Sequence, residues 1–178
     1  MTAHSKTPSA LQTPTEQDNG LFVFGDKEKE ALSLLDDAQK IHRVCFVCTG
    51  NTCRSPMAAA LYNHIHEQEP THAKSAGLAA MEGEPIAAYA KEALSRYGVK
   101  STPKNDYTAH RATSLTDELV SAMDDIYALS SAHYMALCMT YPEHISKFHI
   151  LGEIADPYGG TLALYEKTLA EIAEALHV

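Results

Sequence analysis

The stretch Cys48-Thr-Gly-Asn-Thr-Cys-Arg54-Ser55 brings a thiol, a guanidinium and a hydroxyl together on one short segment. The spacing between Cys48 and Arg54 lets the segment curl so that successive backbone N–H groups point into one concave anion site. Arg54 can grip two phosphate oxygens with its planar fork. The same positive surroundings favour the thiolate form of Cys48, and Ser55 can donate its hydroxyl to that sulfur. A nucleophile at the base of a phosphate cradle predicts covalent phosphoryl transfer.

The alternative is that Cys48 is a small buried hydrophobe at a strand end, as free cysteines often are. The flanking sequence favours chemistry. Val44–Cys48 is a β-prone run, Thr49-Gly50-Asn51 is typical of a turn, and Ser55-Pro56 predicts an N-cap followed by the first helical position. A strand, a tight loop and a helix in this order present the helix N-terminus to an anion.

Strands and helices alternate along the rest of the chain. The predicted elements are a strand over Ala73–Ala76, a helix from Glu84 to Gly98, a helix from Thr116, a strand over Asp125–Leu129, a helix over Ser131–Met139, a strand over Lys147–Leu151 and a last helix from Leu162 to Leu176. One face of the Glu84–Gly98 helix is predicted to carry Ile86, Ala90, Ala93, Leu94 and Tyr97. The alternation predicts an α/β fold, a parallel sheet with helices on both faces, whose ligands bind beyond the carboxyl ends of the strands.

Length and charge exclude several classes of protein. The chain has 178 residues and a net charge of −9, so it lacks a global basic field for nucleic acid or an anionic membrane. It has no apolar run of roughly 18 residues and no apolar N-terminal segment that could act as a secretory signal. Three of the four cysteines fall between Cys45 and Cys53, which indicates a reducing, cytoplasmic compartment rather than a secreted disulfide framework.

The N-terminal part differs in composition from the rest. Residues 1–20 are polar and are predicted to be a disordered tail. Residues 21–42 are predicted to be a partly helical extension, with an adhesive Leu21–Phe24 strand and a helix over Asp26–Gln39. Residues 43–178 are predicted to form the single folded domain.

Val47–Met57 strongly resembles the low-molecular-weight protein phosphatases. Further matches follow in order: Ser75-Ala-Gly77, His110-Arg111 and Asp156-Pro-Tyr-Gly-Gly160. The resemblance covers about Arg43 to Leu176 and implies a four-stranded parallel sheet flanked by helices. It identifies Cys48 as the nucleophile, Arg54 as the phosphoryl clamp and Asp156 as the general acid. It also implies that Asn51 and Ser55 brace the loop and the thiolate, and it assigns the phosphate-binding loop to Thr49, Gly50, Asn51, Thr52, Cys53 and Ser55.

The residues themselves support the place of Asp156. It follows the predicted Lys147–Leu151 strand, and so lies at the same carboxyl edge of the sheet as the Cys48 loop. Without that loop, a turn-initiating Asp would be the default interpretation. An acid at this edge can protonate a leaving group and then activate water.

Cys53 lies close enough in sequence to Cys48 to form a reversible disulfide on oxidation, although buried filler is the simpler interpretation. Cys45 and Cys138 are predicted to be core residues. The histidines show no metal-ligand spacing, so we expect neither a metal site nor a cofactor. The expected partners are phosphorylated proteins, with inorganic phosphate as the product.

Four functions remain open from the sequence: protein phosphatase, arsenate reductase, non-enzymatic phosphate-binding module and small-molecule phosphatase. Arsenate reduction needs resolving thiols downstream, and no cysteine lies between Cys53 and Cys138. A binding module would lack the nucleophile or the acid, and both are present. A small-molecule phosphatase is not separated from a protein phosphatase by the sequence.

Two features bear on specificity within the resembled family. Tyrosine-directed members usually carry an aliphatic residue where this chain has Thr52, and two aromatic residues after the Asp-Pro pair, where Tyr158 is followed by Gly159. Both features resemble the bacterial arginine-phosphatase branch. The interpretation is therefore a protein-arginine phosphatase, with a protein-tyrosine phosphatase as the alternative, and Thr52 and Tyr158 as the specificity residues.

Overall fold

The computed structural model describes residues 41–178. Within this range the strands are β1 (His42–Cys48), β2 (Thr71–Gly77), β3 (Asp125–Ala128) and β4 (Phe148–Ile150). The helices are α1 (Arg54–Ile65), α2 (Ala88–Tyr97), α3 (Asp117–Ala122), α4 (Ser131–Thr140) and α5 (Leu162–Ala175), with short 3₁₀ turns at Tyr107–Ala109 and Pro142–Lys147. The predicted tail over residues 1–20 and nearly all of the 21–42 extension, including both elements predicted there, lie outside the described residues.

The four strands form one parallel sheet in the order β2-β1-β3-β4. The predicted four-stranded α/β fold is thus confirmed. Strand β1 lies in the interior of the sheet, and the chain leaves it toward β2 on one side and later returns to β3 on the other. The loop after Cys48 therefore opens at the point where the strand order reverses, the usual ligand site of an open parallel sheet.

Helices cover both faces of the sheet, and the side chains of β1 point alternately into the two cores between the sheet and these helices. Val44, Phe46 and Cys48 pack in a core built with α1, α2 and α5. Cys45 and Val47 face the opposite core, which α3 and α4 close. The period-two alternation of side chains explains why this strand is apolar on both faces.

Most predicted elements are present, and three details of α1 and α2 are wrong. The N-cap of α1 is Cys53 rather than Ser55, because the Ser55 hydroxyl is used by the Cys48 thiol and lies inside the helix. The helix predicted from Glu84 begins at Ala88. Tyr97, predicted on the buried face of that helix, is 49% exposed, because it lies in the last turn before the left-handed Gly98 cap.

The two cysteines predicted to be core residues differ in burial. Cys45 is fully buried, and this burial raises the pKa of its thiol to about 12. Cys138 is only half-buried and packs against the edge of the α3–α4 core. In the part of the chain that the structure describes, no helix combines the length and apolar character needed to cross a bilayer.

Candidate active site

The predicted phosphate-binding loop lines a cleft of about 290 Å³ at the carboxyl end of β1. Cys48 is 3% exposed at the end of the strand, and Arg54 is 7% exposed in the first turn of α1. The walls come from three separate segments. The lining residues are Cys48, Thr49, Gly50, Asn51, Thr52, Cys53, Arg54, Ala79, Met81, Glu84, Asp156 and Tyr158.

A short chain of hydrogen bonds supports the Cys48 thiol. Ser55 Oγ lies 3.0 Å from Cys48 Sγ, and Asn51 Nδ2 donates to the same hydroxyl oxygen at 2.9 Å. The Ser55 proton has two possible acceptors, the sulfur and the Ala76 backbone oxygen at 3.3 Å. Because Asn51 donates to its oxygen, the hydroxyl becomes a better donor toward a thiolate.

Asn51 is the buried centre of the loop. It is fully buried with a φ of 55°, a left-handed conformation that asparagine tolerates better than most residues. Its side chain also donates to Ser75 Oγ at 2.9 Å and accepts from the Thr113 N–H at 2.9 Å. His110 Nε2 donates to its backbone oxygen at 2.8 Å. Burial lowers the pKa of His110, so a neutral imidazole fills this position near pH 7.

The loop packs closely against the segment that follows β2. A Cβ at Gly77 would lie 2.6 Å from the Thr49 backbone oxygen, so a larger residue at Gly77 would displace the loop. The Leu78 and Ala79 N–H groups donate to the Cys48 and Thr49 oxygens, each at 2.9 Å. These bonds take up the loop carbonyls and leave its N–H groups for an anion.

Arg54 and Asp156 form the ion pair at the mouth of the loop. Arg54 Nη2 donates to Asp156 Oδ2 at 2.7 Å, and Nη1 donates to the Ile154 oxygen at 3.4 Å. Arg54 Nε is buried and has no hydrogen-bond partner within residues 41–178. A buried, unpartnered guanidinium donor is costly in a folded protein unless a ligand satisfies it. An oxyanion in the cleft would meet that need.

Cys53 lies at the side of the loop and bonds to the last helix. Its Sγ is 3.3 Å from the Tyr165 hydroxyl and 3.6 Å from Thr52 Oγ1. Burial raises the pKa of the Cys53 thiol, and that of the Tyr165 phenol as well. Cys53 is therefore a protonated thiol at neutral pH. Its redox role stays a prediction.

The rim of the cleft is acidic and exposed. Tyr158 is 79% exposed and Met81 is 71% exposed. The Glu84 carboxylate forms no ion pair or hydrogen bond with a residue in the 41–178 range, whereas nearby Glu82 accepts from the Ser114 N–H. Among the described residues, Arg54 is the one cationic residue that lines the cleft.

Sequence reasoning missed His133, which contacts the loop from α4. Its Nε2 lies 3.0 Å from Thr49 Oγ1, and its Nδ1 lies 2.7 Å from Ser130 Oγ. Burial and the nearby Arg54 charge lower the pKa of His133. The available signal was the Ser130 N-cap after β3, at the same carboxyl edge as Cys48. Over the described range, no group of three His, Cys, Asp or Glu side chains is arranged to hold a metal ion.

The chain matches known phosphatases over the whole described domain. The family described as low molecular weight phosphotyrosine protein phosphatase matches residues 43–178. A protein-arginine-phosphatase of Geobacillus stearothermophilus is 36% identical over 140 residues, 74% of this chain and 88% of the relative. A probable low molecular weight protein-tyrosine-phosphatase of Ralstonia nicotianae is 35% identical over 138 residues, 74% of this chain and 89% of the relative.

Solved structures agree with these matches. A low molecular weight protein tyrosine phosphatase from T. tengcongensis aligns with a TM-score of 0.70 at 38% identity, over 76% of this chain and 95% of that one. The YwlE arginine phosphatase from G. stearothermophilus aligns with a TM-score of 0.68 at 35% identity, over 76% of this chain and 88% of that one. The chain therefore belongs to the low molecular weight phosphotyrosine protein phosphatase family.

Proposed function

We propose that this protein is a protein-arginine phosphatase that works through a phospho-Cys48 intermediate. The observation that carries the proposal is the cleft, which has a thiol and a buried arginine at its base and two carboxylates, Glu84 and Asp156, on its wall. Two relatives named protein-arginine-phosphatase, at 36% and 34% identity, support the choice of substrate. The substrates would be phosphorylated proteins, and the product inorganic phosphate.

In the first step the substrate phosphoryl group replaces Asp156 on the Arg54 fork. Its oxygens take the Nη donors and the unpartnered Nε, together with the loop N–H groups. The Cys48 thiolate attacks phosphorus, the S–P bond forms and the P–N bond to the guanidine breaks. Asp156 in its protonated form supplies the proton that the leaving nitrogen takes.

In the second step water clears the phospho-enzyme. The Asp156 carboxylate takes a proton from water, whose oxygen attacks phosphorus while the S–P bond breaks. The electron pair returns to Cys48 Sγ, where Ser55 Oγ at 3.0 Å donates to the thiolate. Phosphate leaves, Asp156 releases to solvent the proton that it took from water, and its carboxylate pairs with Arg54 again.

The charge of the cleft wall favours a phosphoguanidine over a phosphophenol. A guanidinium carries positive charge next to the phosphoryl group, whereas a phenyl ring carries none. An exposed carboxylate within reach of a cation stabilises it by about 0.2–1 kcal/mol, a factor of roughly 1.5 to 5. Glu84, which has no partner among residues 41–178, is placed for that contact. Thr52 adds a hydroxyl to the cleft lining where an aliphatic side chain would pack against an aryl ring.

The test compares kcat/KM for one peptide carrying phosphoarginine or phosphotyrosine at the same position. We expect the wild type to prefer phosphoarginine, Thr52→Ile to shift the ratio toward phosphotyrosine by about ten-fold, or ~1.4 kcal/mol, and Glu84→Gln to shift it by about two- to five-fold in the same direction. Lys91→Gln, an exposed change on α2, is the control. A wild type that hydrolyses phosphotyrosine far better would overturn the arginine assignment.

Tyrosine phosphatase activity is the second candidate. Exposed Tyr158 at the rim can stack on an aryl ring, which favours phosphotyrosine. The family description and the Ralstonia relative name tyrosine as well. Gly159 follows Tyr158 with a φ of 74°, so a second aromatic wall is missing at this position.

The covalent step has its own test. Cys48→Ser should abolish turnover of both peptides while inorganic phosphate still binds, because the loop N–H groups and Arg54 remain. A Cys48→Ser enzyme with appreciable turnover would exclude the phospho-cysteine route. We also propose a cytoplasmic site of action, because the reaction needs Cys48 in its reduced form.

A further inference from the structure

A second cleft of about 380 Å³ runs along the outer edge of β2 and shares no lining residue with the active-site cleft. Strand β2 is the first strand in the sheet order, so one of its sides faces no other strand formed by residues 41–178. The cleft lies between this side, helix α1 and the segment 104–113. Nothing in the proposed reaction uses it.

On the outer edge of β2, the backbone N–H groups two residues before and two residues after Ser75 already have hydrogen-bond acceptors. The Ala73 N–H donates to Asn63 Oδ1 at 2.7 Å, and the Gly77 N–H donates to the Thr113 oxygen at 2.9 Å. Backbone groups of a strand point to the same side every second residue. The Ser75 N–H, midway between these two, therefore points into the cleft as a donor.

Three cationic side chains line the same cleft as this donor. Lys74, Lys104 and Arg111 line the cleft, and none forms an ion pair with a carboxylate of residues 41–178. His72 lines it too, and burial together with the Lys74 charge lowers the pKa of that imidazole. Among the described residues that line the cleft, the one acid is Asp106.

Asp106 does not neutralise these cations. Its Oδ1 accepts from Ser101 Oγ at 2.9 Å, Thr108 Oγ1 at 2.7 Å and the Ala109 N–H at 3.2 Å. The carboxylate therefore caps the turn that begins at Tyr107. In a chain of net charge −9, a cleft lined by three cations that no carboxylate of residues 41–178 pairs with is a local reversal of the protein's field.

The same cleft touches the residues that hold Asn51. Ser75, His110 and Thr113 all line it, and each makes one of the hydrogen bonds that fix Asn51 in the phosphate loop. An anion bound at the Ser75 N–H would contact a residue whose hydroxyl is hydrogen-bonded to Asn51 of the loop. Its effect on the loop would pass through those three bonds.

We propose that this cleft is a second oxyanion site, that it takes inorganic phosphate, and that its occupancy alters turnover through the bonds to Asn51. The donors are the Ser75 N–H and the Lys74, Lys104 and Arg111 side chains. Because phosphate is the product of the proposed reaction, the occupancy of such a site would rise with the product concentration, and turnover would depend on that concentration. The proposal does not depend on whether the substrate is phosphoarginine or phosphotyrosine.

The binding test is an NMR titration of the full chain with inorganic phosphate near neutral pH. We expect two sets of shifts with different Kd values, one at the loop amides 48–55 and one at Ser75, Lys74 and the His72 imidazole. Bound dianion should raise the apparent pKa of His72, because it favours the protonated ring. Lys74→Gln and Lys104→Gln should each weaken the second Kd by about two- to five-fold and leave the first unchanged.

Lys91→Gln, an exposed lysine that lines neither cleft, is the matched control and should change neither Kd. If the shifts at Ser75, Lys74 and His72 had the same Kd as those of the loop amides in every variant, they would report binding at the active site alone. The second site would then be excluded. In the kinetic arm, phosphate should change kcat at saturating substrate in the wild type and lose this effect in Lys74→Gln. A kcat that is independent of phosphate would refute the coupling to Asn51.

Discussion

Asn51→Ala tests how far the phosphate loop depends on one buried amide. The side chain makes three hydrogen bonds, to Ser55 Oγ, Ser75 Oγ and the Thr113 N–H, all at 2.9 Å. A hydrogen bond contributes about 0.5–1.5 kcal/mol net, and a buried partner left without one costs more. The left-handed φ of 55° adds strain for alanine. We expect a loss of about 3–5 kcal/mol in the free energy of unfolding.

The matched control is Asn63→Ala, because its side chain makes two hydrogen bonds, both to the Ala73 backbone, at 2.7 and 2.9 Å. The control should cost about 1–3 kcal/mol. Urea denaturation of each variant measures these losses.

Activity should separate the two variants. Displacing the loop N–H groups by about 1 Å should lower kcat/KM roughly 100-fold in Asn51→Ala, since that shift misplaces the phosphoryl group. Asn63→Ala leaves the loop in place and should keep kcat/KM within a few-fold of wild type. If Asn51→Ala lost under 1 kcal/mol, or if both variants lost activity equally, the argument that Asn51 shapes the loop would be wrong.

Four further predictions follow from the site geometry. Arg54→Lys should lower kcat/KM by orders of magnitude, because one ammonium cannot replace a planar fork that binds two oxygens; a wild-type value would contradict the clamp. Asp156→Asn should reduce kcat most for poor leaving groups, and equal losses across a series of aryl phosphates would show a structural role instead. Mild peroxide should join Cys48 to Cys53 reversibly, with Cys48 oxidised first because burial raises the pKa of the Cys53 thiol; mass spectrometry that finds no such disulfide would contradict this. Because the pKa of His133 is lowered in the folded protein, its imidazole is protonated at a higher pH in the unfolded chain. The free energy of unfolding should therefore fall as the pH drops below about 6.5. His133→Gln should remove part of this pH dependence.

The order of the elements and the position of the candidate loop between a strand and a helix were predictable from local sequence. Three local signals predicted this order: the β-prone run before Cys48, the turn residues after it and the helix-forming run after Pro56. Each depends on only a few neighbouring residues, so each can be recognised from the sequence alone. The spacing of Cys48 and Arg54 is likewise local. The last strand was predictable from its residues as well. The location of Asp156 at the same edge of the sheet as Cys48 followed from the rule that parallel strands end at one edge.

What holds the loop in shape was decided only by the tertiary structure. Asn51 is fixed by Ser75, His110 and Thr113, which are 24, 59 and 62 residues away along the chain. The contact from His133 to Thr49 spans 84 residues, and that from Tyr165 to Cys53 spans 112. Helix and turn patterns carry no information about such distant partners, because the sheet order and the packing of its helices bring them together.

Ser55 shows how a local sequence preference and a tertiary contact compete for the same side chain. Its sequence context predicts a helix N-cap, a local bond to a backbone N–H. In the folded chain the same hydroxyl lies between Cys48 Sγ and the Asn51 amide, and the cap position passes to Cys53. The Cys48 thiol and the Asn51 amide are both buried, so water cannot satisfy them and the Ser55 hydroxyl serves as their polar partner. The sequence alone was enough to predict that Cys48, Arg54 and Asp156 lie at one edge of the sheet. The tertiary structure decided which distant side chains, His133 and Tyr165 among them, contact the loop.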